Sequence, residues 1–217
     1  MKEYLAYKGN KFIVEWYFTK KGESQPLEFF NTLSMTEQQK FFHLLKRIGD
    51  FGFISDITKF RNEEDGIYAF KPQPNRFLSF FFEDGKIIIT NGFVKKSQKL
   101  KKQDKLVQYL HEKIMLNEYR KETIMTKTMS TFDRMMENPE WKSSFEKSYE
   151  EFLISEFMCE QMKNADLSVR ELAERAGVSP TTIQHLRTGK AENVKVKTLM
   201  SVLHELGFSL KPVATLH

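Results

Sequence analysis

The side chains in this sequence that are best suited to contact bases or phosphates project from one predicted helix near residue 180. Glutamine and arginine can each form two hydrogen bonds with a base edge, and threonine can contact a thymine methyl group or a phosphate. The start of a helix also favours a phosphate, because its free N–H groups carry partial positive charge. The residues that we predict to contact DNA are Ser179, Thr181, Thr182, Gln184, His185, Arg187 and Lys190.

A helix-turn-helix over about residues 167–206 would position these side chains. Ser168 is a candidate cap for the first helix, Gly177 allows a left-handed turn, and Ser179 precedes Pro180 at the start of the second helix. An αα-hairpin that packs on another surface is the alternative. DNA binding is favoured by the order of the pattern: a capping serine, the small residue Ala173, the glycine turn, the apolar Val178 between the helices, and a second capping serine. The residues predicted to pack the motif are Leu172, Ala173, Val178, Ile183, Leu186, Val196, Leu199, Leu203 and Leu206.

Two family resemblances follow from this half of the chain. From about Asp166 to Phe208 the sequence resembles the Xre/Cro family of repressors. Upstream, Asn138-Pro139-Glu140-Trp141 and the acidic amphipathic helix after it resemble the antitoxins of the HigA type. The HigA resemblance implies a protein that neutralises a toxin and represses its own operon. We expect it to bind operator DNA as a homodimer through its helix-turn-helix half.

The first half of the chain mixes strand and helix patterns, which predicts an α+β protein with a small antiparallel sheet. Pro26 suits the first turn of a short helix, and Ser34 with Glu37 predicts a capping box for a longer one that ends near Gly49. An Asp84-Gly85 pair favours a type I′ hairpin turn. Strands are predicted over residues 11–18, 57–61, 66–71, 76–83 and 86–94, and an amphipathic helix over residues 97–122.

Several short segments of this half resemble the HigB branch of the RelE superfamily. They are Lys59-Phe60-Arg61, Asp65 to Lys71, Arg76-Phe77-Leu78 and Asn91 to Lys99, within a match from about Phe12 to Tyr119. The resemblance implies a small ribonuclease that cuts mRNA, usually on the ribosome, without a metal or cofactor. An arginine of the relatives is replaced by Ala69 or by Lys71, depending on the alignment. The basic residues that the resemblance assigns to catalysis are Lys59, Arg61, Lys71, Arg76, Lys95 and Lys96.

The chemistry of RNA cleavage agrees with a cationic site. Attack by a 2′-hydroxyl builds negative charge on the phosphorus, and fixed cations stabilise that charge without a metal. Arginine grips a phosphate with two parallel hydrogen bonds, whereas lysine acts as a point charge. Lys59 and Arg61 are two residues apart, so both leave the same face of a strand. No histidine lies among these strands, and the acidic run Glu63-Glu64-Asp65 is predicted to be a solvated turn.

Other residues of the first half are predicted to bind RNA without taking part in catalysis. Tyr68 and Phe93 are candidates for stacking on bases. Lys99 and Lys102 belong to a run of six lysines within residues 95–105, which attracts polyanions. A solvated lysine face is the alternative interpretation of this run.

The composition restricts the class of protein. The chain has 217 residues, one cysteine and no apolar run long enough to span a bilayer. A charged N-terminus without an apolar core does not resemble a secretory signal. We therefore expect a cytoplasmic protein without disulfides or membrane partners. Residues 1–122 carry a net charge of +6 and residues 123–217 a net charge of −1.

These observations predict a toxin and an antitoxin in one chain, with the toxin first. The toxin domain is assigned to residues 1–122, a linker to residues 123–135 and the antitoxin to residues 136–217. Met125 and Met129 stand where a separate antitoxin would begin, so a natural fusion and two adjacent products both fit the sequence. The alternative function is a transcription regulator whose N-terminal domain senses a ligand or partner and cuts nothing.

Overall fold

The computed structural model of the protein describes residues 3–64, 66–95, 129–190 and 194–212. The first part of the chain forms a sheet whose strands are built mainly from β-branched and aromatic residues, which favour a pleated surface. The six strands are β1 (Leu5–Lys8), β2 (Ile13–Trp16), β3 (Phe60–Glu64), β4 (Ile67–Phe70), β5 (Asn75–Phe82) and β6 (Lys86–Val94).

The strand order across the sheet is β1-β2-β6-β5-β4-β3. Consecutive strands from β3 to β6 pair antiparallel, as do β1 and β2. The pairing of β2 with β6 is parallel, because the chain passes through two helices and three strands before it returns beside β2. The sheet thus contains one parallel pair within the antiparallel arrangement that the sequence predicts.

Two helices connect β2 to β3 and cover one face of the sheet. They are α1 (Gln25–Asn31) and α2 (Met35–Phe51). The N–H of Ser34 donates to the Glu37 carboxylate at 3.0 Å, and Gly52 ends α2 in the left-handed conformation. The aromatic residues between helices and sheet are fully buried: Trp16, Phe30, Phe41, Phe42, Phe70 and Phe77. This aromatic layer is the core of the first half of the chain.

After the second gap the chain is helical. The helices are α3 (Thr131–Met136), α4 (Pro139–Asn164), α5 (Val169–Arg175), α6 (Pro180–Thr188) and α7 (Val196–Glu205). The chain divides into two compact units, residues 1–143 and 144–217. The first unit includes α3, which overlaps the predicted linker of residues 123–135 and packs against β1.

The second unit has its own apolar core. Buried side chains from α5, α6 and α7 meet two methionines of α4, Met158 and Met162. Leu172, Ala173, Ile183, Leu186 and Leu203 are buried as predicted, and Val178, Leu199 and Leu206 pack against the same cluster. Val196 is an exception, since 64% of it is exposed. It lies at the first position of α7, before the helix turns its apolar face inward.

Three details of the first half differ from the sequence prediction. Strand β1 was not predicted, and β3 begins at Phe60, three residues later than the predicted strand. The hairpin between β5 and β6 turns through a 3₁₀ helix over Glu83–Gly85, with Gly85 at φ 71°, instead of a two-residue type I′ turn. The predicted helix over residues 97–122 lies outside the described residues.

Close approach of the backbone at Gly9 and Gly49 joins the loop after β1 to the end of α2. A Cβ atom on Gly9 would overlap the carbonyl group of Gly49. The N–H groups of Lys11 and Phe12 donate to this same carbonyl at 2.7 and 3.0 Å. Any side chain on Gly9 therefore has to separate the two backbones and strain these hydrogen bonds.

We predict that Gly9→Ala lowers the free energy of unfolding by about 1–3 kcal/mol, the usual cost of inserting a methyl group into a packed site. Thermal unfolding of the full chain measures the effect. Lys8→Ala, a change at the exposed neighbouring residue, is the control and should leave the midpoint nearly unchanged. An unchanged midpoint for Gly9→Ala would show that this backbone contact is not tight.

Candidate nucleic-acid interfaces

The sheet has two faces, and the strand register shows which of them carries the predicted arginines. Phe77 stacks on Phe41 of α2 with ring centroids 3.9 Å apart, so it lies on the helix-covered face. Arg76 precedes Phe77 in β5 and therefore points to the other face. Arg61 lies opposite Ala69 in the register, and Ala69 lies opposite Leu78, the residue after Phe77. Arg61 thus shares with Arg76 the face opposite the helices, which we call the far face.

Three basic side chains and one carboxylate form a cluster on the far face. Glu63 accepts a hydrogen bond from Nζ of Lys71 at 2.6 Å. It also accepts two from Arg61, from Nε at 3.3 Å and from Nη2 at 3.1 Å. Arg76 is 6% exposed, and its Nη1 donates to the carbonyl of Asn75 at 2.7 Å. We call Arg61, Glu63, Lys71 and Arg76 the cationic cluster.

Burial and neighbouring charges shift the pKa values of this cluster in opposite directions. Burial alone would raise the pKa of Glu63, but hydrogen bonds from Arg61 and Lys71 outweigh it and leave the pKa below its usual value. Burial lowers the pKa of Lys71 in spite of its ion pair with Glu63. Burial also lowers the pKa of Arg76, which is coupled electrostatically to Glu63 and Arg61. With three cations and one carboxylate, the cluster keeps a net positive charge that favours an anion.

Sequence reasoning missed Glu63. It was predicted to lie in a solvated turn with Glu64 and Asp65, whereas the structure places it in β3 with 13% of its side chain exposed. A signal was present, because Arg61 and Glu63 are two residues apart and therefore share one face of a strand. This spacing was not recognised because the predicted strand ended at residue 61, which left Glu63 outside it.

The other predicted catalytic residues lie around this cluster or outside the described chain. Lys59 directly precedes β3 and forms an ion pair with Asp56 at 3.7 Å. Lys95 directly follows β6 and is half-buried, and its N–H donates to the carbonyl of Pro74 at 3.2 Å. Lys96 lies outside the described residues, as do Lys99 and Lys102, which were predicted to bind RNA.

The two aromatic residues predicted to bind RNA lie on different faces. Phe93 is opposite Arg76 in the register, so it is on the far face, where it packs against Ile67, Ala69 and Leu78. Tyr68 is on the helix-covered face, between Phe60 and Phe81, with ring centroids at 5.5 and 4.7 Å. The structure therefore brings Phe93 but not Tyr68 to the side of the cationic cluster.

In the second unit, the predicted turn and caps hold α6 in position after α5. Ser168 accepts a hydrogen bond from the N–H of Glu171 at 3.2 Å, and the N–H of Ser168 donates to the Glu171 carboxylate at 2.8 Å. Gly177 adopts a left-handed φ of 64° between the helices. Ser179 accepts from the N–H of Thr182 at 3.2 Å at the start of α6. The local geometry is that of the predicted helix-turn-helix.

The exposed side of α6 carries a subset of the residues predicted to contact DNA. Thr181, Gln184 and His185 are exposed there, and Thr188, which sequence reasoning omitted, is exposed one turn further on. The hydroxyls of Ser179 and Thr182 are 2.9 Å apart in the cap, and Lys190 is exposed after the helix.

Arg187 differs from these residues because it is only partly exposed. Its Nε is buried, and it lines a cavity of about 580 Å³ together with Cys159, Lys163 and Asp166. Its carbonyl accepts a hydrogen bond from Ser155 of α4 at 2.9 Å. The structure therefore places Arg187 towards α4 and not beside Gln184 on the exposed side of α6.

Among the residues that the structure describes, no three metal-ligating side chains of histidine, cysteine, aspartate or glutamate come together. None of the helices formed by the described residues is both long and apolar enough to cross a membrane.

Comparison with known families identifies both halves. Residues 28–107 match the family described as "Phage derived protein Gp49-like (DUF891)", and residues 159–211 match the "Cro/C1-type HTH DNA-binding domain". No curated protein matches the chain. The chain therefore carries an N-terminal domain of the RelE/HigB toxin type and a C-terminal helix-turn-helix domain. More specifically, it has a Gp49-like domain followed by a Cro/C1-type domain, in the order of a toxin followed by its antitoxin. The resemblances to the Xre/Cro repressors and to the RelE/HigB-type toxin family are confirmed, whereas the resemblance to the HigA antitoxins stays a prediction.

We predict that Glu63→Gln lowers the free energy of unfolding at neutral pH by about 1–3 kcal/mol, because it leaves Lys71 and Arg61 without their counter-charge. Since the pKa of Glu63 is lowered in the folded protein, its contribution is complete above the pKa of the unfolded chain and disappears as the pH falls through the folded value. Denaturant titrations between neutral and strongly acidic pH should therefore show the two proteins converging in acid. Glu28→Gln, at an exposed residue of α1, is the control. A difference that does not change with pH would contradict the ion-pair assignment.

Proposed function

We propose that the chain is a toxin–antitoxin module. The N-terminal part, residues 1–122, is a metal-independent endoribonuclease that needs no cofactor and cuts mRNA on the ribosome. The C-terminal part, residues 136–217, neutralises the ribonuclease and represses its own operon as a homodimer bound to operator DNA in the cytoplasm. The observation that carries the proposal is the cationic cluster on the far face of a Gp49-like domain, joined to a Cro/C1-type domain.

The cationic cluster supplies what cleavage by a 2′-hydroxyl needs. Arg61 is 57% exposed at its side chain, so its N–H groups that do not donate to Glu63 are open to an incoming phosphate. Lys71 and Arg76 are buried below it and provide fixed positive charge where the pentavalent phosphorus develops negative charge. Phe93 lies beside Arg76 on the same face and offers a ring for a base. Lys95 and Lys59, at the ends of neighbouring strands, extend the positive surface.

A specific observation favours a second candidate, a transcription regulator whose N-terminal domain does not cut RNA. Glu63 already occupies Arg61 and Lys71 with hydrogen bonds. Ion-paired clusters that only stabilise a fold have the same appearance. In this alternative the sheet would bind a ligand or partner that adjusts DNA binding by the second unit.

Growth on expression of the first unit separates these candidates. We predict that residues 1–143, expressed without the rest of the chain, arrest growth and leave cut mRNA on ribosomes. Arg76→Ala should relieve the arrest, because removing one fixed donor from a charged transition state typically costs about 100–1,000-fold in rate. The matched control is Lys40→Ala, which removes one positive charge from an exposed position of α2.

Two measurements accompany the growth assay. Immunoblots of the soluble fraction show whether Arg76→Ala and Lys40→Ala accumulate equally. Sequencing of RNA ends on ribosomes shows whether mRNA is cut. If unit 1 accumulates without arresting growth and no cut ends appear, the regulator function is correct.

For the DNA-binding half we predict that Gln184→Ala weakens binding to the operator by about 1–3 kcal/mol, the value of one bidentate base contact. Binding to random DNA should change little, because phosphate contacts position a protein without reading sequence. Gln161→Ala in α4 is the matched control. Arg187→Ala should have a smaller effect on specificity than Gln184→Ala, because Nε of Arg187 is buried. Equal loss on operator and random DNA would contradict the role of Gln184.

A further inference from the structure

The segment Ser130–Trp141, which we call the anchor segment, lies against the first two strands and α2 in the first compact unit. We propose that the anchor segment, which spans the end of the predicted linker and the start of the predicted antitoxin, is a separable recognition motif by which the antitoxin half holds the toxin half. The two halves would then stay together when the chain between them is cut. This inference rests on the proposed function, since it names the contact that joins its two partners.

One polar contact of this surface joins the anchor segment to the buried core of the sheet. Nε1 of the fully buried Trp16 donates to the hydroxyl of Thr131 at 2.8 Å. That hydroxyl also donates to the carbonyl of Leu5 in β1 at 3.3 Å. Without the anchor segment the indole N–H of Trp16 would lose this acceptor, and a buried donor without an acceptor is costly.

Aromatic contacts surround this polar pair. The ring of Phe132 lies 5.1 Å from the ring of Tyr7 and 5.2 Å from the ring of Phe42. Trp141 is 3% exposed, and its ring lies 6.0 Å from those of Phe42 and Phe132. Buried aromatic anchors in fitted pockets usually dominate the energy of an interface. Two such anchors on one short segment are typical of a recognition motif.

Backbone and charged groups fix the direction of the segment. Nε2 of Gln39 in α2 donates to the carbonyl of Trp141 at 3.2 Å, in a buried position. Arg134 pairs with Glu3 at 3.1 Å at the exposed rim. Ser130 caps α3, as its hydroxyl accepts from the N–H of Asp133 at 3.0 Å. The segment therefore contacts the first half from Thr131 near its start to Trp141 at its end.

The anchor segment contacts a different region of the sheet from the one that carries the cationic cluster. Its partners are in β1, β2 and α2, at one edge of the sheet. The cationic cluster is on β3 and β5 and just after β4, towards the other edge. The anchor segment thus supplies attachment to the toxin half, and it does not itself replace RNA at the cluster.

The test uses the full chain with a site for a sequence-specific protease inserted between Glu122 and Met129. After complete cleavage, the two fragments of the otherwise unchanged protein should elute together from a size-exclusion column. With Phe132→Ala and Trp141→Ala combined, the dissociation constant of the fragments should rise by about 100-fold or more, and they should elute apart. Thr131→Val, which removes only the hydroxyl, should give a smaller rise in the same direction.

Controls make each outcome decisive. Met129→Ala changes an exposed residue next to the anchor segment and should leave the fragments together. Circular dichroism before cleavage shows that every variant is folded. Separation of the unchanged fragments would overturn the proposal, as would co-elution of the fragments that carry the double substitution. Neither readout depends on RNA cleavage, so loss of the ribonuclease function and loss of the anchor are distinguishable.

Discussion

Burial of the Trp16 indole is the constraint on which much of the first unit depends. Its ring lies at the centre of the aromatic layer, 5.5 Å from Phe30 and 5.7 Å from Phe41. A tryptophan in such a place brings one N–H into an apolar core, and that group must find an acceptor. The acceptor is Thr131, 115 residues further along the chain. The core of the N-terminal sheet is therefore completed by a residue of α3, which lies beyond the predicted boundary of the first domain at residue 122.

A consequence is that the sequence domains and the compact units divide the chain at different places. The composition changes after residue 122, where a short polar stretch rich in threonine predicts a linker. The compact units divide between Ser143 and Ser144, because α3 and the first residues of α4 are packed into the first unit. In the proposed toxin–antitoxin module, the core of the toxin would be complete only when α3 is packed against it. Folding of the toxin would then depend on residues that lie beyond its predicted boundary at residue 122.

The elements that the sequence predicts well are those specified by local signals. The capping serines, Gly177 and the helical period of the second unit define the helix-turn-helix within about forty residues, and its core agrees with the prediction. The elements that it misses depend on distant partners. Strand β1 has four residues and is a strand because β2 pairs with it. The pairs Trp16–Thr131 and Glu63–Lys71 depend on packing and on strand register, which no local pattern contains.

The electrostatics of the cationic cluster explain why it contains a carboxylate at all. Arg61, Lys71 and Arg76 on one sheet face repel each other, and burial of Lys71 and Arg76 makes each charge more costly. Glu63 offsets both effects, and its lowered pKa shows that the cations stabilise its charge in return. In the proposed ribonuclease, an RNA phosphate would compete with Glu63 for the hydrogen bonds of Arg61. The same carboxylate would then stabilise the empty site and weaken the binding of RNA, so that stability and activity are opposed at one residue.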